Sequence, residues 1–305
     1  MTEDTRLLDR EALRREVEKG ARLKDALTSL ASEAREKIIF SYTGAGGVAA
    51  WIAYWFVKQL APGVSVEIQP GDALAFHVLA YRESRDEYSP ASDTTVYLFV
   101  GPGGENQSIM VRDASLYTGA RLAIISPRLP PLLRDRLGEE PRLLELDGVY
   151  TILAPIAAAL LALEIGESRG YSGTRVKRVE REVLTLTEVL DDLLERFSDT
   201  ARRAAECRSV ECTVIYTPTM RSAAILHSLL YGSRPLGVQD ALAAFMGGVG
   251  GRVLLMYTRG DADAVREVRF RALSRGASLV EVVMPTDPLT APIYTILVLH
   301  ARSVD

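Results

Sequence analysis

Leu7, Leu8, Leu13, Val17, Leu23, Ala26, Leu27 and Leu30 recur at roughly helical spacing within a charge-dense opening stretch. That spacing predicts one long amphipathic helix over residues 1–37. The period then changes. Short apolar runs at 38–42, 64–68, 95–100 and 122–126 read as buried strands, with helices at 48–60 and 105–118. Further helices are expected at 148–163 and 176–206, the second with Val183, Leu184, Leu186, Val189, Leu190, Leu193 and Leu194 as its apolar stripe. The alternation restarts with strands at 212–216, 252–257 and 278–284 and helices at 220–231, 262–274 and 289–301. Strands alternating with helices predict parallel sheets covered on both faces.

The two halves echo one another. Tyr42-Thr43 followed by Ala49-Ala50 matches Tyr216-Thr217 followed by Ala223-Ala224. Val96–Val100 with Gly119-Ala120 and Leu122 matches Val253–Tyr257 with Gly276-Ala277 and Leu279. Matches in the same order are the mark of an internal duplication. A length of 305 residues also favours two domains, since single cores stop growing near about 250–300 residues.

A net charge of −4 argues against a general nucleic-acid binder, which carries a basic face. The opening stretch has no apolar signal region, and Tyr150–Ile165, which holds Pro155 and Glu164, is short for a membrane span. A cytoplasmic protein without membrane or nucleic-acid partners is therefore expected. Basic residues are 31 Arg against 5 Lys, a bias that suits a GC-rich genome or a hot habitat and is silent on function. Cys207 and Cys212 lack further metal-ligand partners nearby and read as two ordinary thiols, a local disulfide being the alternative. No metal and no cofactor is expected.

Two turns carry candidate chemistry. Ser41-Tyr42-Thr43-Gly44-Ala45-Gly46-Gly47 ends a strand and opens a helix, and Gly101-Pro102-Gly103-Gly104-Glu105-Asn106-Gln107-Ser108 does the same. Glycines let backbone approach a phosphate, and a helix N-terminus offers free N–H groups to an anion. Thr43, Gly44, Gly46, Gly47, Gly103, Gly104, Asn106 and Ser108 are the candidate ligand-binding residues. The competing reading is a tight, capped turn where strand and helix pack closely. The spacing fits neither the Rossmann fingerprint nor a Walker loop. In open α/β sheets, ligands bind at the carboxyl ends of the strands, where both turns fall.

Phe40–Ala50, Val96–Ile125, Tyr216–Ala224 and Asp287–Pro292, taken in order, resemble the sugar isomerase (SIS) family. The nearest pattern is the archaeal type of bifunctional phosphoglucose/phosphomannose isomerase. The resemblance implies two SIS-like, flavodoxin- or Rossmann-like parallel-sheet sandwiches in tandem after an N-terminal helix. It would divide the chain at 1–36, 37–170, a linking helix 171–208, and 209–305. It also implies a homodimer that binds a sugar phosphate or other small anion and, if active, interconverts an aldose and a ketose.

The departures from that pattern are specific. The family's loop serines fall at Val48, Gly101 and Gly103, and its threonine at Asn106. Its arginine falls near Asp147, its catalytic glutamate near Leu230, its histidine near Phe245 and its lysine near Val298. Isomerisation needs a base to move a proton between adjacent carbons and an acid to open the ring. The residues that could stand in are Glu105, His227 and His300, with Arg221 and Thr290 as further ligand contacts. His227 sits among Ala224, Leu226 and Leu229, which equally suits a histidine held by packing, and His300 at a helix C-terminus equally suits the helix dipole. A non-catalytic protein acting by ligand sensing or oligomerisation is the alternative function. Tyr42, Trp51, Tyr54 and Trp55 near the first turn would suit a filled cleft.

Overall fold

The computed structural model describes residues 7–79, 91–209, 211–246 and 251–302. The chain opens with α1 (Arg10–Ala21) and α2 (Lys24–Ala31), then runs β1 (Lys37–Thr43), α3 (Gly47–Leu60), β2 (Ser65–Pro70) and α4 (Gly71–Ala73). A π-helical turn (Leu74–Leu79) precedes β3 (Thr94–Val100), α5 (Gln107–Thr118), β4 (Arg121–Pro127), α6 (Pro131–Leu137), β5 (Arg142–Leu146) and α7 (Tyr150–Ser168). After α8 (Thr174–Leu184) and α9 (Leu186–Ala205) come β6 (Cys212–Tyr216), α10 (Arg221–Tyr231), β7 (Arg234–Gly237) and α11 (Val238–Met246). The chain finishes with β8 (Arg252–Thr258), α12 (Arg266–Ser274), β9 (Ser278–Met284) and α13 (Ala291–His300). Two compact units result, one of residues 16–183 and one of residues 1–15 with 184–305.

In the unit of residues 16–183 the sheet order is β2-β1-β3-β4-β5, all parallel. All seven residues of β3 are buried, as a strand covered on both faces requires. Val96, Leu98 and Val100 face a core shared with Leu74, Leu79 and Val111. The alternate residues Tyr97 and Phe99 stack near Phe40, with ring centroids 5.8 and 6.4 Å away. Tyr97 donates its hydroxyl to the Leu30 carbonyl at 3.0 Å, tying α2 to the sheet. Burial raises the Tyr97 phenol pKa, the ordinary consequence of desolvating its charged form. α7 is long and apolar enough to cross a membrane by composition, yet 89% of that stretch is buried against the rest of the chain.

In the other unit the order is β7-β6-β8-β9, again parallel. It repeats the first four positions of the other sheet without an equivalent of β5. Ile215, Val253 and Leu255 pack with Val238 of α11, Val268 and Ala272 of α12, and Val265 just before α12. Leu8, ahead of α1, forms an isolated parallel bridge with Ala301.

Three expectations are corrected. The opening helix is broken at Arg22-Leu23. An unbroken helix would carry Lys24 onto the face of Leu13, Val17 and Gly20; the break frees Lys24 to pair with Glu180 at 2.6 Å. The 176–206 helix is interrupted at Thr185, a β-branched residue with weak helix preference. Cys207 and Cys212 are not thiols but a disulfide with Cα atoms 5.4 Å apart, closing the connection from α9 to β6. The short edge strands β5 and β7 and the helices α6 and α11 were not anticipated, because too few residues carry a period there.

Candidate functional site

Strand order reverses direction between β1 and β3, so the turns after these two strands flank the topological switch point of the first sheet. These are the two glycine turns. Gly44–Gly46 forms a single 3₁₀ turn leading into α3, and Gly101–Asn106 leads into α5. The turns are zipped together by backbone. Gly101 donates its N–H to the Thr43 carbonyl at 2.9 Å. A methyl group on Gly46 would overlap the Phe99 carbonyl, and one on Gly44, whose φ is +52°, would stand 2.6 Å from the Pro102 carbonyl. The glycines therefore serve close approach of one turn to the other.

The second turn also satisfies itself. Gly104 donates to Gly101, Gln107 to Gly104, and Ser108 to Glu105, all through backbone N–H groups. Ser108 is buried and donates its hydroxyl to the Glu105 carbonyl at 2.6 Å. Gly103 and Asn106 lie exposed at the tip, and Glu105 is half-buried beside them. Gly104 sits over Thr43, whose buried hydroxyl has no hydrogen-bond partner. The Tyr42 ring lies against Gly47, within 3.2 Å of where a side chain would begin. Trp51, Tyr54 and Trp55 form a half-exposed edge-to-face stack on α3, with centroids 5.7 and 5.2 Å apart.

The remaining candidates lie in the other unit and are built into its framework. His227 is fully buried; Nε2 lies 2.9 Å from the Ala204 carbonyl and Nδ1 2.7 Å from Ser233 Oγ. Since a carbonyl only accepts, the proton is on Nε2 and Nδ1 accepts from the serine. Burial, opposed only in part by the Ala204 bond, pushes its pKa down to about 4. Thr290 is buried, 3.1 Å from Thr286 Oγ1 and donating to the Asp287 carbonyl at 3.2 Å. His300 is buried at the end of α13, where its carbonyl accepts the Leu8 N–H at 2.8 Å. Arg221 opens α10, half-exposed, beside Thr219 and Ser222, whose buried hydroxyls lack partners. Among the described residues, no group of three or more His, Cys, Asp or Glu is placed to hold a metal.

One residue escaped the sequence reading. At the switch point of the second sheet, between β6 and β8, Asp261 Oδ2 accepts Thr217 Oγ1 and Thr258 Oγ1, each at 2.8 Å, and the Thr258 N–H at 3.3 Å. The signal was present as the Thr258-x-x-Asp261 spacing of a capping box. Each switch point thus has a carboxylate nearby, Asp261 bonded into the second and Glu105 half-buried in the turn at the first.

No family model matches the sequence, and no curated protein matches it. The architecture does match solved structures. A Salmonella typhimurium LT2 protein assigned as a phosphosugar isomerase superimposes with a TM-score of 0.70 at 15% identity, over 93% of this chain and 90% of that one. The C-terminal domain of glucosamine-fructose-6-phosphate aminotransferase from Francisella tularensis follows at 0.67 and 12% identity, over 95% and 91%. Tagatose-6-phosphate ketose/aldose isomerase from Escherichia coli gives 0.60 and 12%, over 95% and 91%. The fold is that of the SIS phosphosugar isomerases. At these identities the SIS likeness fixes the architecture alone, and chemistry must come from this chain's own residues.

Proposed function

We propose that this SIS-fold chain binds a sugar phosphate at the carboxyl edge of its first sheet and regulates or scaffolds without isomerising it. The observation that carries the non-catalytic reading is His227. Both imidazole nitrogens are spent inside the fold, on Ala204 and Ser233, and burial keeps the ring neutral. A general base must reach its substrate's proton. His300 is equally buried.

The ligand class is supported by the solved structures of the same fold, whose names include phosphosugar isomerases and tagatose-6-phosphate isomerase. Accessibility favours the first switch point, where Gly103 and Asn106 are exposed, while at the second Asp261 is already committed to Thr217 and Thr258. Exposed Asn106 and Gly103, with Thr43 beneath Gly104, are the contacts we assign to it. Were a reaction present, phosphoglucose/phosphomannose-type aldose–ketose isomerisation is the one we would name, and we place the protein as a homodimer.

The test is a thermal-shift screen against glucose 6-phosphate, fructose 6-phosphate, mannose 6-phosphate, glucosamine 6-phosphate and inorganic phosphate. A ligand at about a hundred times its dissociation constant adds roughly 2.7 kcal/mol of stability. A shift with a sugar phosphate exceeding that with phosphate is expected. A second reading, action through assembly alone, is favoured by the zipped turns and by Tyr42 over Gly47. A flat screen would select it.

A further inference from the structure

The edge of the first sheet opposite the glycine turns holds a pocket of about 110 Å³. It lies where α5 ends and β4 begins, walled by Arg35, Arg112, Ser115, Arg121 and Glu140. Three arginines line one small, solvent-open cavity, where their like charges repel unless something compensates them. Some compensation comes from the rim. Asp113 pairs with Arg112 Nη1 at 2.7 Å, and Glu33 stands 3.8 Å from Arg121. Arg35 is held differently, donating through Nη1 to the Ser92 and Gly119 carbonyls at 2.5 and 2.9 Å. Those bonds fix its position without neutralising it.

Two buried donors on this wall have no partner. Ser115 is 1% exposed and its hydroxyl bonds to nothing, and the Arg112 Nε–H is likewise buried and unbonded. A buried donor left without a partner destabilises the fold, so an acceptor that met both would be bound with that cost relieved. Guanidinium forks and a hydroxyl are the donors that suit a tetrahedral oxyanion. The cavity is large enough for a tetrahedral oxyanion.

We propose that this pocket is an oxyanion site, taking inorganic phosphate or the phosphoryl end of a monophosphate ester through Arg35, Arg112, Arg121 and Ser115. It is separate from the glycine turns.

Isothermal titration with inorganic phosphate, in buffer of constant chloride, tests it. The native chain is expected to bind phosphate with a sub-millimolar dissociation constant, about a tenfold weakening in Arg112→Gln, and a smaller weakening in Ser115→Ala. Ser115→Ala removes only an unbonded hydroxyl, so it folds whether or not Arg112→Gln does, and it decides the matter alone if necessary. A weakening in Asn106→Asp, at the glycine turn, as large as that in Arg112→Gln would assign the bound phosphate to the proposed sugar-phosphate site instead and overturn the proposal. Titration with glycerol phosphate identifies the source: tighter binding than phosphate marks an ester, weaker binding the free ion. No heat with about 10 mM phosphate, or equal binding by native, Arg112→Gln and Ser115→Ala chains, would overturn the proposal.

Discussion

The Ser233 hydroxyl donates to His227 Nδ1 across 2.7 Å, and the opposite ring nitrogen is anchored on Ala204. Burial of this ring makes a pH prediction. The ring's ordinary value is 6.5 and the folded value about 4, so between these the unfolded chain binds the proton and the folded chain does not. Stability is therefore full above about pH 6.5 and falls as pH drops toward 4, by up to about 3 kcal/mol. Urea unfolding at either end of that window checks it, and His227→Gln should flatten this part of the profile. Ser233→Ala should cost about 1–3 kcal/mol at neutral pH, since Nδ1 is left without its donor.

The glycine turns predict a contrast between two alanine substitutions. Gly46→Ala drives a methyl group into the Phe99 carbonyl and should cost at least about 3 kcal/mol, measured by chemical denaturation. Gly103→Ala meets nothing within 4 Å and suffers only from its φ of +83°. It should cost about 1 kcal/mol. Equal costs would mean that the turns are not packed against each other.

The short apolar runs make the layered sheets legible, because a buried parallel strand is apolar on both faces and these runs are too short for helices. The glycine turns are legible along the chain, but what packs against them is not. Sequence shows that Gly46 lacks a side chain; only the register of β1 against β3 shows that the Phe99 carbonyl occupies that space. His227 looked ambiguous for a related reason. Its commitment depends on Ser233 and Ala204, partners fixed by the turn after α10 and the packing of α9, which no local spacing reveals.

The Cys207–Cys212 disulfide closes a short loop, for which chain entropy predicts about 2 kcal/mol of stabilisation. Reduction with dithiothreitol, or the Cys207→Ser/Cys212→Ser double variant, should lower the denaturation midpoint accordingly. Intact mass before reduction should be two hydrogens below that of the dithiol.

Asp261 gathers three donors at the second switch point. Asp261→Ala should destabilise its unit by about 2 kcal/mol, because Thr217 and the Thr258 backbone lose their acceptor. Asp261→Asn, which keeps one carbonyl acceptor, should cost less. Calorimetric scans of the two variants side by side distinguish them.

The central claim is binding without turnover, and phosphorus NMR of fructose 6-phosphate mixed with the protein reads both at once. The account predicts a broadened or shifted substrate resonance and no new peak after prolonged incubation. Appearance of glucose 6-phosphate or mannose 6-phosphate would contradict the non-catalytic reading, and an unperturbed resonance at every protein concentration would contradict sugar-phosphate binding.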